Sequence, residues 1–101
     1  MVKSNMEAIT VRFYSLWQLY LGTDHISLPA DNVAEAMSQI EERFGSQLRE
    51  QLQARGIQAD LPIQDYSLLL LNGLNVDKQN LQQVKLKAGD ILHVFPLAMG
   101  G

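Results

Sequence analysis

Leu86-Lys87-Ala88-Gly89-Asp90-Ile91-Leu92-His93-Val94-Phe95-Pro96, followed by Leu97-Ala98-Met99-Gly100-Gly101, ends the chain of 101 residues. The unit begins at Val84. Gly and Asp inside Lys87-Ala88-Gly89-Asp90 mark a turn, and the apolar run from Ile91 to Phe95 reads as a strand. Pro96 stops it, because proline cannot donate to a central ladder. Residues 97–101 then form a short flexible tail that leaves from a fixed point.

Working outward, Glu7 to Leu16 begins with Ile9, Val11 and Phe13 on one side and Thr10, Arg12 and Tyr14 on the other. This period of two marks a half-buried strand. A second strand follows at His25 to Leu28, and Gly22 between them suggests a hairpin. At Asn32 the pattern changes. Asn32 can cap a helix with Glu35 three residues on, and Val33, Met37, Ile40 and Phe44 then recur at helical spacing. Gly45 is expected at the left-handed position that ends this helix. Ser46 to Arg55, anchored by Leu48 and Leu52 and closed by Gly56, reads as a short second helix. Gln58 to Asp65, with Pro62, reads as loop, and Ser67–Leu71, Asn72-Gly73 and Leu74–Val76 as strand, tight turn and return strand.

Two strands, one long helix and further strands provide too little helix to cover both sides of a sheet, which predicts an α+β roll. If the helix covers the face of Ile9, Val11 and Phe13, then Leu92 and Val94 are core, while Tyr14, Ile91, His93 and Phe95 face outward. With part of Leu68 to Leu71, such a face forms an apolar patch suited to docking. The alternative is that residues 46–66 fold over it.

Composition narrows the function. The apolar fraction of 47% suffices for one modest core, so one domain over 1–101 is expected. The apolar runs are too short to cross a bilayer and Met1 to Glu7 lack the order of a secretory signal, so a cytoplasmic protein with no membrane role is expected. No cysteine is present to form a disulfide, a thiolate metal site or a nucleophile. A net charge of −3 with scattered Lys and Arg speaks against nucleic acid and fits a basic protein partner.

A terminal Gly100-Gly101 has no side chains beside its carboxylate, so it can thread a narrow channel and reach a nucleotide phosphate. The chain lacks a Gly-rich loop followed by Lys and Ser or Thr, so ATP-dependent activation needs another protein. Ile9-Thr10-Val11-Arg12-Phe13-Tyr14 leading to Leu21-Gly22-Thr23, together with Leu86, Gly89, Asp90, Phe95, Pro96, Gly100 and Gly101 in place, resembles the MoaD and ThiS family of ubiquitin-like sulfur carriers. Leu71-Asn72-Gly73 is similar to that family's Val-Asn-Gly segment, and residues 46–66 look longer than its usual connection.

The resemblance implies a β-grasp fold, a mixed sheet with one main helix packed on one face. It also implies a carrier rather than an enzyme. A MoeB-like (E1-like) enzyme would spend ATP to adenylate Gly101, a sulfur donor would displace AMP, and the thiocarboxylate would serve a MoaE-like large subunit in building molybdopterin. Tyr14, Phe95, Pro96, Leu97, Ala98 and Met99 would contact these partners, and no cofactor would be bound. The same tail suits a protein modifier that forms isopeptide bonds, a ThiS-like carrier for thiamine thiazole, or a binding module with an incidental Gly-Gly end.

Other residues invite weaker readings. His25 and His93 are isolated from each other and from carboxylates at ligand spacing, which speaks for ordinary strand histidines. Glu41 and Glu42 point about 100 degrees apart on a helix and read as a solvated face. Asp90 reads as a turn residue, Trp17 as either core or interface anchor, and Ser15, Ser27 and Ser67 lack any visible triad.

Overall fold

The computed structural model describes residues 7–97. Strand β1 (Glu7–Phe13) leads through helix α1 (Ser15–Leu21) to β2 (His25–Ala30), then α2 (Val33–Ala54), β3 (Ser67–Leu71), β4 (Leu74–Asn75) and β5 (Ile91–Pro96). The sheet order is β2-β1-β5-β3-β4, with β1 and β5 parallel and the other neighbours antiparallel. This is the expected mixed β-grasp sheet with one main helix. The helix covers one side: Ile9, Val11, Phe13, Leu92 and Val94 share a buried cluster with Val33, Met37, Ile40, Leu48 and Leu52.

β1 and β2 pair antiparallel as the expected hairpin, but β1 stops at Phe13, short of the expected Leu16, and the seven residues of α1 occupy the connection. The signal lay in Trp17, Tyr20 and Leu21, whose i, i+3, i+4 spacing buries all three. α2 is longer than expected because Ser46–Arg55 continues it: Phe44, Leu48 and Leu52 extend the stripe of Met37 and Ile40 without a break. Gly45 is buried inside this helix and does not end it; a Cβ there would run into the Glu41 carboxylate. The left-handed residue past the helix is Gly56, with φ 81°.

Asn32 Oδ1 accepts from the Glu35 amide at 2.9 Å, and Glu35 Oε1 from that of Asp31 at 2.8 Å, so the helix start follows the expected cap. Val84, expected to open the last unit, begins no strand: a single bridge joins Lys85 to Asn32 before β5 starts at Ile91, and the preceding Lys78–Gln83 forms 3-10 turns. Beyond them Val84 O accepts from the Val33 amide at 3.0 Å, which satisfies one free N–H of the helix start. Residues expected as loop include a 3-10 turn at Ile63–Tyr66. The β3–β4 connection is as expected, with Asn72 at φ 51° and Gly73 at φ 91°, both left-handed as a two-residue hairpin turn requires. β4 itself ends at Asn75, one residue before the expected Val76.

Pro96 is the last residue of β5 rather than the first beyond it, and it sits opposite Ser67. Pairing of β5 with β1 ends at Val94, so the missing N–H interrupts no ladder on that side.

Candidate functional site

Pairing decides which side chains share the uncovered sheet face. Arg12 stands opposite His25 and His93, Leu70 opposite His93 and Leu68 opposite Phe95. The inner partners Val11, Leu92 and Val94 are buried, so Ile91, His93 and Phe95 face outward as expected. Residues 46–66 do not close this face; Leu48, Leu52, Ala59 and Ile63 are spent in the core on the opposite side. Leu68 is left 40% exposed.

Tyr14 lies just past β1, where it is the N-cap residue of α1. From there its ring stacks on Phe95 at a centroid distance of 4.2 Å and 11° between planes. Its hydroxyl is hydrogen-bonded to His93 Nδ1 at 2.6 Å. Offset aromatic pairs of this kind contribute about 1 kcal/mol beyond burial, so the face carries a rigid aromatic platform. His93 belongs to that platform, which its isolation in the sequence concealed; the β5 alternation that places Phe95 outward also places His93 there.

The platform adjoins the point where the chain leaves the sheet. After Pro96 the Leu97 amide donates to Tyr66 O at 2.9 Å, the last tie to the body of the fold among the described residues. A mainly apolar groove of about 410 Å³ flanks it, lined by Ser15, Leu16, Trp17, Leu52, Ile57, Pro96 and Leu97. Its walls come from α1 and the extension of α2, neither of which was read as lining the tail exit from the sequence. Of the residues expected to act, Tyr14, Phe95, Pro96 and Leu97 are brought together here. Ala98, Met99, Gly100 and Gly101 lie outside the described residues.

At the opposite end of β5, Asp90 is buried and fastens two turns. Its carboxylate accepts from the Lys87 amide at 2.9 Å and from Asn72 Nδ2 at 3.0 Å, while Asn72 Oδ1 accepts from the Ile91 amide at 2.9 Å. Burial opposes ionisation, but the bonds from Asn72 and Lys87 outweigh it and hold the Asp90 carboxyl below its ordinary range. The turn role expected of Asp90 therefore extends across the sheet to the β3–β4 hairpin. Since the folded carboxyl is the stronger acid, its contribution is full above the ordinary carboxylate range and disappears as the pH falls through the lowered folded value. Asp90→Ala is expected to lower unfolding free energy by about 2 kcal/mol at neutral pH, with the deficit shrinking in acid; urea titrations across pH check both.

The other residues resolve plainly. Trp17 is fully buried and donates from Nε1 to Ser67 Oγ at 2.8 Å, so it is core. Ser67 Oγ in turn donates to Ile63 O at 2.8 Å, which occupies the hydroxyl structurally. Glu42 is exposed as expected, whereas Glu41 is half-buried and engaged: it accepts from the Ile63 amide at 2.8 Å and pairs with Arg49 at 2.7 Å, tying the 3-10 turn to α2. His25 is bonded to its sequence neighbour Asp24 at 2.6 Å. Among the described residues no group of His, Asp and Glu is placed to hold a metal ion, and no helix is long and apolar enough to cross a membrane.

No protein-family model and no curated protein matches the sequence. Solved structures do match the fold. Small archaeal modifier protein 1 from Methanosarcina acetivorans superposes with a TM-score of 0.66 at 18% identity, over 97% of this chain and 100% of its own. The HVO 2177 protein of Haloferax volcanii gives 0.68 at 20% identity, over 100% and 92% of the two chains. A protein assigned as molybdopterin converting factor subunit 1 from Pyrococcus furiosus gives 0.63 at 17%, over 91% and 99%. These likenesses are of fold: the chain shares the β-grasp architecture of a small archaeal modifier protein and of a molybdopterin converting factor subunit.

Proposed function

We propose that the protein is a cytoplasmic sulfur carrier that acts as a substrate of partner enzymes. The observation that carries this reading is the junction at the end of the central strand. Pro96 and the anchored Leu97 launch a segment ending in Gly100-Gly101 beside the Tyr14–Phe95 platform. A docking face beside the exit of a chain whose sequence ends in two glycines is what an adenylating enzyme needs in order to grip the body and reach the terminus. In the first step an oxygen of the Gly101 carboxylate attacks the α-phosphorus of ATP and pyrophosphate leaves. Hydrosulfide then adds to the acyl carbon and expels AMP, leaving a thiocarboxylate. ATP is spent on a MoeB-like enzyme, and the sulfur passes to a dithiolene precursor on a MoaE-like large subunit. The fold shared with a molybdopterin converting factor subunit supports that choice of acceptor.

The shared fold with small archaeal modifier protein 1 favours a second reading, in which the activated Gly101 is joined to lysines of target proteins. Both readings require the adenylate. Radiolabelled pyrophosphate is expected to exchange into ATP only when this protein and the adenylating enzyme of the same organism are both present. Absence of exchange, with an enzyme that activates another carrier, overturns both.

Within the same assay Phe95→Ala is expected to raise the KM for the carrier at least about tenfold, as loss of an aromatic anchor does. Circular dichroism of the variant is expected to match the parent, since Phe95 lies outside the buried cluster.

A further inference from the structure

The outward strand positions hold an uneven distribution of charge. They are Ala8, Thr10 and Arg12 on β1, His25, Ser27 and Pro29 on β2, Ile91, His93 and Phe95 on β5, Leu68 and Leu70 on β3, and Asn75 on β4. No Asp or Glu is among them, although the whole chain carries a net charge of −3. The acidic excess therefore lies on other surfaces. The one fixed charge of this face is the exposed Arg12, which makes no ion pair among the described residues.

Register places an imidazole on either side of Arg12, His25 on β2 and His93 on β5. The two are not equivalent. His25 is bonded to Asp24 at 2.6 Å, and Asp24, held below its ordinary range by that bond first and by Arg12 to a lesser degree, partly balances this outer end of the row. Among the described residues His93 is bonded only to the Tyr14 hydroxyl, through Nδ1, which leaves Nε2 as the ring nitrogen for a partner. Arg12 and His93 thus form a polar, basic centre bordered by Tyr14, Phe95, Leu68 and Leu70.

We infer that this centre selects the partner of the docking face, and that it fits a protein surface bearing a carboxylate within an apolar ring. The guanidinium offers a planar fork that a carboxylate meets with paired bonds. Apolar surroundings exclude water and strengthen such a pair, whereas a basic group opposite Arg12 would be left unpaired and repelled. The overall negative charge of the chain would repel an acidic partner from most directions, so productive approach is confined to this face. The inference rests on the carrier reading, because it assigns the face to the adenylating enzyme.

The test is adenylation kinetics with that enzyme at low and high salt, for the parent, Arg12→Lys and Arg12→Glu. Arg12→Glu is expected to raise the KM at least about tenfold at low salt, and high salt is expected to narrow the difference as screening takes hold. Arg12→Lys keeps the charge and is expected to retain part of the affinity. A normally adenylated parent with Arg12→Glu indistinguishable from it overturns the acidic partner surface and leaves the carrier reading standing. Failure of the parent to be adenylated overturns the carrier reading and this inference with it. Saturable NMR shifts at Arg12 and His93 with inorganic phosphate alone, with no change in KM for Arg12→Glu, would reassign the centre to free anions.

Discussion

Removal of Gly101 is expected to abolish adenylation and sulfur loading while leaving the urea midpoint of unfolding unchanged. The two halves of this result have different origins. Loading needs the α-carboxylate at the end of the double glycine; truncation moves it back by one residue, about 3.5 Å along an extended chain, more than the misplacement that costs a reacting group 100-fold. Stability depends on the cluster running from Ile9 to Val94, all of it upstream of the anchored Leu97. Replacing Gly101 with a bulkier residue is expected to fail in the same way, because a side chain then stands beside the reacting carboxylate. Intact-mass spectrometry and urea titration of both variants provide the check. A truncated chain that still takes up sulfur would show that the double glycine is incidental.

Trp17→Ala is expected to have the opposite profile. The indole is fully buried and its Nε1–H is received by Ser67. Truncation removes the largest fully buried side chain, leaves a cavity beneath α1 and α2, and strips Ser67 of its buried donor. Cavity formation of this size costs about 3–5 kcal/mol, a large share of the roughly 5–15 kcal/mol that holds a small domain together. Trp17→Phe retains most of the volume and is expected to lose only about 1–2 kcal/mol, chiefly the hydrogen bond. Denaturant titration distinguishes the two. A Trp17→Ala chain with unchanged stability and defective docking would instead make Trp17 an interface anchor.

The alternation of β1 and β5 was legible because a half-buried strand must repeat every second residue. It points Tyr14 and Phe95 to the uncovered side of the sheet, where their rings stack. Asn32 with Glu35, and Asn72 with Gly73, were legible for the same kind of reason: each is a local hydrogen-bonding or backbone requirement expressed within a few residues. What escaped was non-local. Gly45 resembles a helix end by its backbone freedom, yet it is retained inside α2 where Glu41 turns toward Ile63 and Arg49. The short α1 was hidden because seven residues hold only two turns of pattern. The bond between Tyr14 and His93 spans 79 positions, and nothing near either residue announces it.

The tail groove was concealed likewise, since its walls are brought together by α1, α2 and the end of β5. The pathway is less legible than the carrier mechanism. It depends on surfaces of other proteins, which this sequence does not encode.

The measurement that bears most directly on the carrier role is the intact mass of the protein after incubation with ATP, a sulfur source and the adenylating enzyme of the same organism. A gain equal to the exchange of one oxygen for sulfur, located at Gly101 by fragmentation, is expected. An unchanged mass, with the enzyme shown to be active, would contradict a sulfur-carrying role.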